Sequence, residues 1–403
     1  MPLSARLSEA LFLQLCAKIR VGHLDLATPD GRRFSFGPES AETRAEMRIL
    51  DPTLYYGMLS QGDWGLGWGY VEKKWDSAEP RNVSLVFMLN EPVFRPWILW
   101  LKRLSPAMRL VVRRNRDDQS REENVRRRTI SQCYDVGNEF FRWVLGPSMV
   151  YTGAIWPRPD ATLEEAQQNK LRLVTLKTRI EPHHRVLDLG CGWGTLADYI
   201  QRNTGAKVKG ITLSREQVKW AQEHYPNCEF EYLNYEHITG VYDRIVCVGL
   251  AEHVGRENLG DFLQLVCDHL EPGGRFFLHT MQSHDGLLMA SPTERWTSFA
   301  SVAMPNGDTP SMSNLVEAAM STGRMRILHT ETYGIHYART GMAWRENTVR
   351  HREEIVRAYS EELYRTYVYS WSMGSAAFES GLTLVHVVFE KQPYGASLTN
   401  AML

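Results

Sequence analysis

Residues 129–403 predict a doubly wound, Rossmann-like α/β domain, and residues 1–92 predict a smaller α+β domain ahead of it. Three observations carry this. From Arg185 onward, short β-like runs alternate with helical stretches; the first run ends in a glycine-rich turn; and the amino-terminal residues follow a hairpin pattern of their own. A chain of 403 residues also exceeds what one hydrophobic core usually serves.

The amino-terminal stretch opens with an amphipathic segment. In "LDLATPDGRRFSFG" an Asp-Gly pair then separates two alternating runs, the signal of a β-hairpin. "QGDWGLGWGYVEKKW" follows, rich in Gly and Trp. Residues 93–128 change character: Trp97, Ile98, Leu99, Trp100 and Leu101 precede a basic run. From Lys102 to Arg128 ten Lys or Arg face four Asp or Glu. Apolar and aromatic residues beside such a run suit a linker that touches an anionic membrane surface, although a solvated linker helix has the same composition.

In the second domain "RVLDLG", "KVKGIT", "CEFEYLN", "YDRIVCVG" and "GGRFFLHT" read as strands. "REQVKWAQEHY" and "NLGDFLQLVCDHL" read as the helices between them. "LTLVHVVFEK" at 382–391 suits a late strand that joins the sheet after a mostly helical insertion.

Composition narrows the function classes. With 43% hydrophobic and 23% charged residues the chain reads as an ordinary globular protein. Its apolar stretches are broken by charge before the roughly 18 residues a bilayer span needs, and Arg6, Glu9, Lys18 and Arg20 interrupt any secretion signal. The expected location is therefore cytoplasmic. A net charge of −1 gives no reason to expect nucleic acid. The six cysteines form no C-x-x-C pair and have no neighbouring histidine ligands, so neither a disulfide nor a metal site is expected.

The turn itself, "VLDLGCGWGTLADYI", points to the ligand. In an open α/β sheet the ligand lies at the carboxyl ends of the strands. Gly190 and Gly192 let a nucleotide-like molecule approach the backbone. Dinucleotide enzymes use G-x-G-x-x-G with an acid about twenty residues on. Here the spacing is G-x-G-x-G and the second strand ends in "GITLS" without an acid, which disfavours NAD. Asp188, two residues before the first glycine, suits the D-x-G-x-G turn that holds S-adenosylmethionine. Ser214 and Gln217 form an S-x-x-Q capping box for the next helix, a role compatible with ligand contact.

"YDVGNEFFRWVLGPSMVYTGAIW", "TLEEAQQNKL", "VLDLGCGWGTLADY", "GITLSREQ", "VGLAEHVG", "FFLHT" and "MPNGDTPS" occur in this order. In these motifs the chain closely resembles the cyclopropane fatty acid synthase family, S-adenosylmethionine-dependent enzymes with a class I methyltransferase domain. The resemblance runs over roughly residues 20–391, including "GLGWGYVEKKWDS", which is similar to a G-x-x-Y-x-x-x-x-W stretch of that family. It implies C-methylation of the cis double bond of acyl chains already in a phospholipid. It also implies action at the inner membrane face as a peripheral protein, and a homodimer. Carried over by position, the cofactor contacts are Tyr151, Thr152, Asp188, Gly190, Gly192, Trp193, Thr212, Leu213, Gln217, Tyr235 and Glu236.

For the chemistry the resemblance implies a bound bicarbonate, held by Glu252 of "EHVG", His279 of "LHT" and Tyr337 of "GIHYART". His279 and Tyr337 can donate to an oxyanion, and Glu252 can accept or orient its proton. The fourth position is a departure. In "VYTGAIW" Gly153 stands where family members usually carry a cysteine, and Cys133 stands where the family commonly has a histidine before "YDVGN". Gly153 keeps a backbone N–H but loses the thiol. Both a cyclopropane and a methylene- or methyl-branched unsaturated chain therefore stay open as products. Two other readings compete: a small-molecule N-methyltransferase using Glu252 and His253, and a non-catalytic lipid- or cofactor-binding protein.

Overall fold

A computed structural model of the chain describes residues 3–104, 136–283, 299, 302 and 308–393, with backbone only at 3–4 and 98–104. The greater part of the basic run within 93–128, Cys133 and the first half of "MPNGDTPS" (304–307) lie outside the described residues. The chain divides into two compact units. One comprises Met1–Val144, Ala290–Pro305 and Gly341–Ser380; the other comprises Leu145–Met289, Asn306–Thr340 and Gly381–Leu403.

The first unit is built on a four-stranded sheet of order β2-β1-β3-β4: β1 His23–Ala27, β2 Arg33–Phe36, β3 Arg44–Ile49 and β4 Trp75–Asp76. The Asp-Gly hairpin closes between β1 and β2 as a turn in which Gly31 takes φ +85° and donates to Thr28 O. The sequence predicts residues 341–380 within the carboxyl-terminal domain, whereas in the structure they belong to this unit. The helix Glu361–Ser380 explains why. It is buried nearly all round and needs cover on more than one side. Tyr369 stacks on Tyr70 at 5.5 Å and meets Trp75 and Phe299 edge-on, and its hydroxyl accepts from Ser84 on the helix Pro80–Leu89.

The second unit carries a seven-stranded sheet of order β10-β11-β9-β8-β5-β6-β7. Its strands are β5 Arg185–Leu189, β6 Lys207–Thr212, β7 Glu229–Tyr232, β8 Tyr242–Val248, β9 Leu270–Gln282, β10 Met325–Thr332 and β11 Thr383–Lys391. The β5–β9 pairings are parallel. The late strand β11 enters antiparallel between β9 and β10. Alternate residues of one strand serve two cores: Leu187, Ile245, Phe276 and Val387 face one, and Val186, Val246, Phe277 and Val388 the other. A sheet covered on both faces explains the apolar runs of its central strands, such as Ile245–Val248 and Phe276–Leu278, whereas the edge strand β7 alternates with exposed Glu229 and Glu231. The chain leaves β5 for β6 on one side and later returns to β8 on the other. The carboxyl end of β5 is thus the point where the winding reverses, and a crevice opens there.

β10 was not foreseen. It is an edge strand in which Met325 alone is fully buried, so it lacks the apolar alternation that marks the others.

Candidate active site

The glycine turn follows β5. Gly190, Gly192 and Gly194 have φ of +77°, +55° and +89°, a region that side chains other than glycine rarely adopt. The N–H groups of Gly190 and Cys191 both donate to Ile211 O at 3.0 Å, pinning the turn to the end of β6. A Cβ at Gly194 would press on Phe230 and Ala221. A Cβ at Gly192 would meet nothing within 4 Å, leaving room over the backbone for a ligand.

Above this turn is a cavity of about 270 Å³. Tyr151, Thr152, Asp188, Gly190, Gly192, Trp193, Thr212 and Gln217 are on its wall. Leu213 is not; it is 61% exposed. Tyr235 and Glu236 also lie off the wall, in a short 3-10 turn after β7. There Tyr235 packs edge-on against Phe262, and Glu236 accepts from Asn234 Nδ2 at 2.9 Å. Ser214 caps the helix Arg215–His224, but the Gln217 side chain turns to Thr212, whose hydroxyl donates to Gln217 Oε1 at 2.7 Å. Both halves of the S-x-x-Q signal are thus used, the second on the cavity wall.

Asp188 is buried at the end of β5, and its Oδ2 has no hydrogen-bond partner among the described residues. Burial pushes its carboxyl up to about 7. A buried carboxyl with a free oxygen at a cavity wall is a place for an ammonium or hydroxyl donor. Sequence reasoning did not find Lys170. This residue, from the helix Leu163–Thr178, is fully buried on the wall and donates to Thr152 Oγ1 at 2.6 Å. Desolvation holds its ammonium well below the usual lysine range. The only sequence cue is a lysine on the apolar side of its helix, in register with Leu171, Val174 and Thr178.

The acid–base candidates gather near this wall. Glu252 opens a short helix after β8, two residues past the cavity-lining Leu250 and just before His253. Its Oε1 accepts from Met281 N on β9 at 2.8 Å, while Oε2 is buried without a partner among the described residues. Burial raises its carboxyl. His279 on β9 is buried. Its Nδ1 meets His386 Nε2 at 3.0 Å, and its own Nε2 has no partner among the described residues. Its backbone O accepts from Gly249 N, placing it beside the cavity-lining end of β8. Tyr337 begins the helix that follows β10, and burial, then Glu252 and Tyr151, push its hydroxyl up. Gly153 sits against the Tyr337 ring: a Cβ there would lie 2.9 Å from two ring carbons and from Leu384 Cδ2. The space a cysteine would need at 153 is filled by tyrosine.

The donor set suits S-adenosylmethionine: a free buried carboxylate oxygen for an ammonium, a glycine turn without side chains, and Tyr151 and Trp193 rings for a sulfonium. Away from the cavity, Glu181, His183 and His184 bring one ligand atom each within 4.8 Å of one another. His184 Nδ1, however, already accepts from Glu181 N.

The family model for mycolic acid cyclopropane synthetase matches residues 121–388. The cyclopropane-fatty-acyl-phospholipid synthase of Escherichia coli K12 is 32% identical over 354 residues, covering 86% of this chain and 88% of that protein. Among solved structures, a cyclopropane synthase from Mycobacterium tuberculosis is similar with a TM-score of 0.60 and 29% identity, over 64% of this chain and 95% of that one. A mycolic acid cyclopropane synthase complexed with SAH gives a TM-score of 0.60 at 28% identity, over 65% of this chain and 97% of that one.

Proposed function

The chain belongs to the mycolic acid cyclopropane synthetase family of S-adenosylmethionine-dependent methyltransferases. From that premise we propose that it converts the cis double bond of an unsaturated acyl chain, carried in a phospholipid, into a cyclopropane. The observation that carries the reading is a pair of buried atoms without a partner among the described residues, Glu252 Oε2 and His279 Nε2, on residues adjoining the cavity-lining Gly249, Leu250 and His253. Buried polar atoms are nearly always paired, so two of them close to a cavity support a site that substrate and anion complete.

When bound, S-adenosylmethionine supplies an electrophilic methyl group on a sulfonium centre. The chain's own residues would bind and orient it: Asp188 would accept from its ammonium, and the rings of Tyr151 and Trp193 would favour its cationic sulfur. An alkene is a poor nucleophile, so alignment in a dry pocket supplies much of the rate. Methylation leaves a cation on the acyl chain, and loss of a proton from the new methyl closes the ring. In this reading His279 and Tyr337 would hold a bicarbonate by donating to it, Glu252, made more basic by burial, would orient it, and the group would supply a base for that proton. Gly153 contributes no side chain, and the Tyr337 ring packed on it holds the phenol in place.

Among the described residues no helix is long and apolar enough to cross a membrane. A substrate held in a bilayer therefore calls for surface attachment, and the basic run from Lys102 to Arg128 is the sequence feature that supports it. Peripheral action at the inner face and a homodimer belong to the same proposal, on the strength of the resemblance. The test is to incubate the purified protein with labelled S-adenosylmethionine and anionic vesicles of cis-monounsaturated phospholipid. The acyl chains are expected to gain one methylene unit. Unchanged lipid with bound cofactor would overturn the acyl-chain reading, and label on an added amine would replace it with N-methylation.

A further inference from the structure

His279 is joined to a polar cluster that reaches the protein surface. Lys177, on the same helix as Lys170, has Nζ 2.5 Å from Glu331 Oε2, 2.8 Å from the Tyr333 hydroxyl and 3.0 Å from His386 Nδ1. His386 lies on β11 directly across from His279 on β9, and its Nε2 is 3.0 Å from His279 Nδ1. Glu331 is partly exposed and also meets His329 Nε2 at 3.2 Å.

Hydrogen positions follow from donor counting. A lysine ammonium has three N–H donors and no acceptor. Lys177 has three acceptors around it, so His386 Nδ1 must be one of them and must carry no hydrogen. A neutral imidazole then holds its hydrogen on Nε2, from which it donates to His279 Nδ1. That nitrogen in turn carries no hydrogen, so the hydrogen of His279 resides on Nε2, the buried atom without a partner. Neutrality of both rings agrees with their surroundings. Burial holds both well below the usual histidine range, with His386, Lys170 and Lys177 adding to the effect at His279, and Lys177, Lys170 and His329 adding to it at His386 against Glu331.

We propose that Lys177 and His386 are positioning residues that lock His279 in its Nε2–H tautomer, turning it into a fixed donor for the oxyanion that receives the substrate proton. Its catalytic part rests on the function proposed above; its structural part does not. An acceptor tautomer at Nε2 would repel the same oxyanion. The direction of the chain, set by a cation that can only donate, therefore decides whether His279 joins Tyr337 in holding the anion or opposes it. Sequence patterns give no hint of this, because the four residues come from 177, 279, 331 and 386 and meet only where the β9–β11 and β10–β11 pairings bring His279, His386 and Glu331 together beside the helix Leu163–Thr178.

The test uses the full chain with ¹⁵N-labelled histidine. Nitrogen NMR separates protonated from unprotonated ring nitrogens, and the His279 signals are identified by their loss in His279→Gln. The expected wild-type spectrum has His279 protonated at Nε2, and Lys177→Met is expected to give mixed tautomers. In turnover on unsaturated vesicles, Lys177→Met and His386→Phe should lower kcat about tenfold or more with KM for the cofactor within about twofold. His386→Gln should recover most of the loss, because its amide can accept from Lys177 and donate to His279. A wild-type His279 protonated at Nδ1 overturns the inference, even where the variants fail to fold. So does unchanged kcat in folded His386→Phe. If the wild-type tautomer is as expected but no unsaturated lipid is modified, the proposed function falls and the tautomer assignment stands.

Discussion

Asp188 is buried at the end of a strand, and burial pushes its carboxyl up to about 7. The folded pKa is raised, so the protonated form is favoured in the ligand-free protein, and stability contributed by that form is lost as pH rises from the unfolded value through about 7. A cofactor ammonium prefers the ionised form. Cofactor affinity, measured by calorimetry, should therefore strengthen between pH 5.5 and 7.5 in the wild type, and Asp188→Asn should bind more weakly and lose this slope. Equal slopes would show that Asp188 does not face the ammonium. At Gly153 steric demand dominates. Gly153→Ala places a methyl group 2.9 Å from the Tyr337 ring and should cost about 1–3 kcal/mol in denaturant unfolding, with a fall in kcat as the ring moves. Full stability would mean the ring is not held there. The turn residues were legible because their spacing imposes positive φ on a chain leaving a strand. Lys170, Lys177 and His386 were not, since a lysine or histidine acquires its role from what packs around it.

The helix Leu163–Thr178 shows how an element places chemistry. Thr162 caps it in a full capping box with Glu165. Its Arg179 end takes a left-handed turn at φ +52°. Between these ends Gln167 and Lys170 reach Thr152, and Lys177 reaches His386. A buried face that is partly polar breaks the simple apolar stripe, which is why the sequence marked this helix by motif and not by periodicity. Thr162→Ala should lower unfolding free energy by about 1 kcal/mol by chemical denaturation, since the cap hydrogen bonds to Glu165 are lost. No change would mean that the first turn is held by tertiary contacts instead. The central parallel strands were legible for the opposite reason: burial on both faces left apolar runs such as Ile245–Val248 and Phe276–Leu278. The edge strand β10, open on one side, carried no such signal.

Across the whole chain the two units are interleaved in sequence, and a reading that moves from one end to the other cannot see this. Tyr70, Trp75 and Phe299 surround Tyr369, which arrives about 300 residues after the first two. A chain cut to residues 129–403 would leave the aromatic face of Glu361–Ser380 uncovered. It should appear as aggregate in size-exclusion chromatography, whereas a soluble monomer would show that this helix finds other cover.

The cation formed on the acyl chain closes to a cyclopropane by losing a proton from the transferred methyl, at an oxyanion held by His279, Tyr337 and Glu252. The most direct measurement of this proton loss uses S-adenosylmethionine carrying a CD₃ group, with vesicles of cis-monounsaturated phospholipid, and reads the extracted acyl chains by mass and NMR. The account predicts two deuterons on a ring methylene between the former alkene carbons. Three deuterons on a methyl branch, or two on an exocyclic methylene, would contradict it.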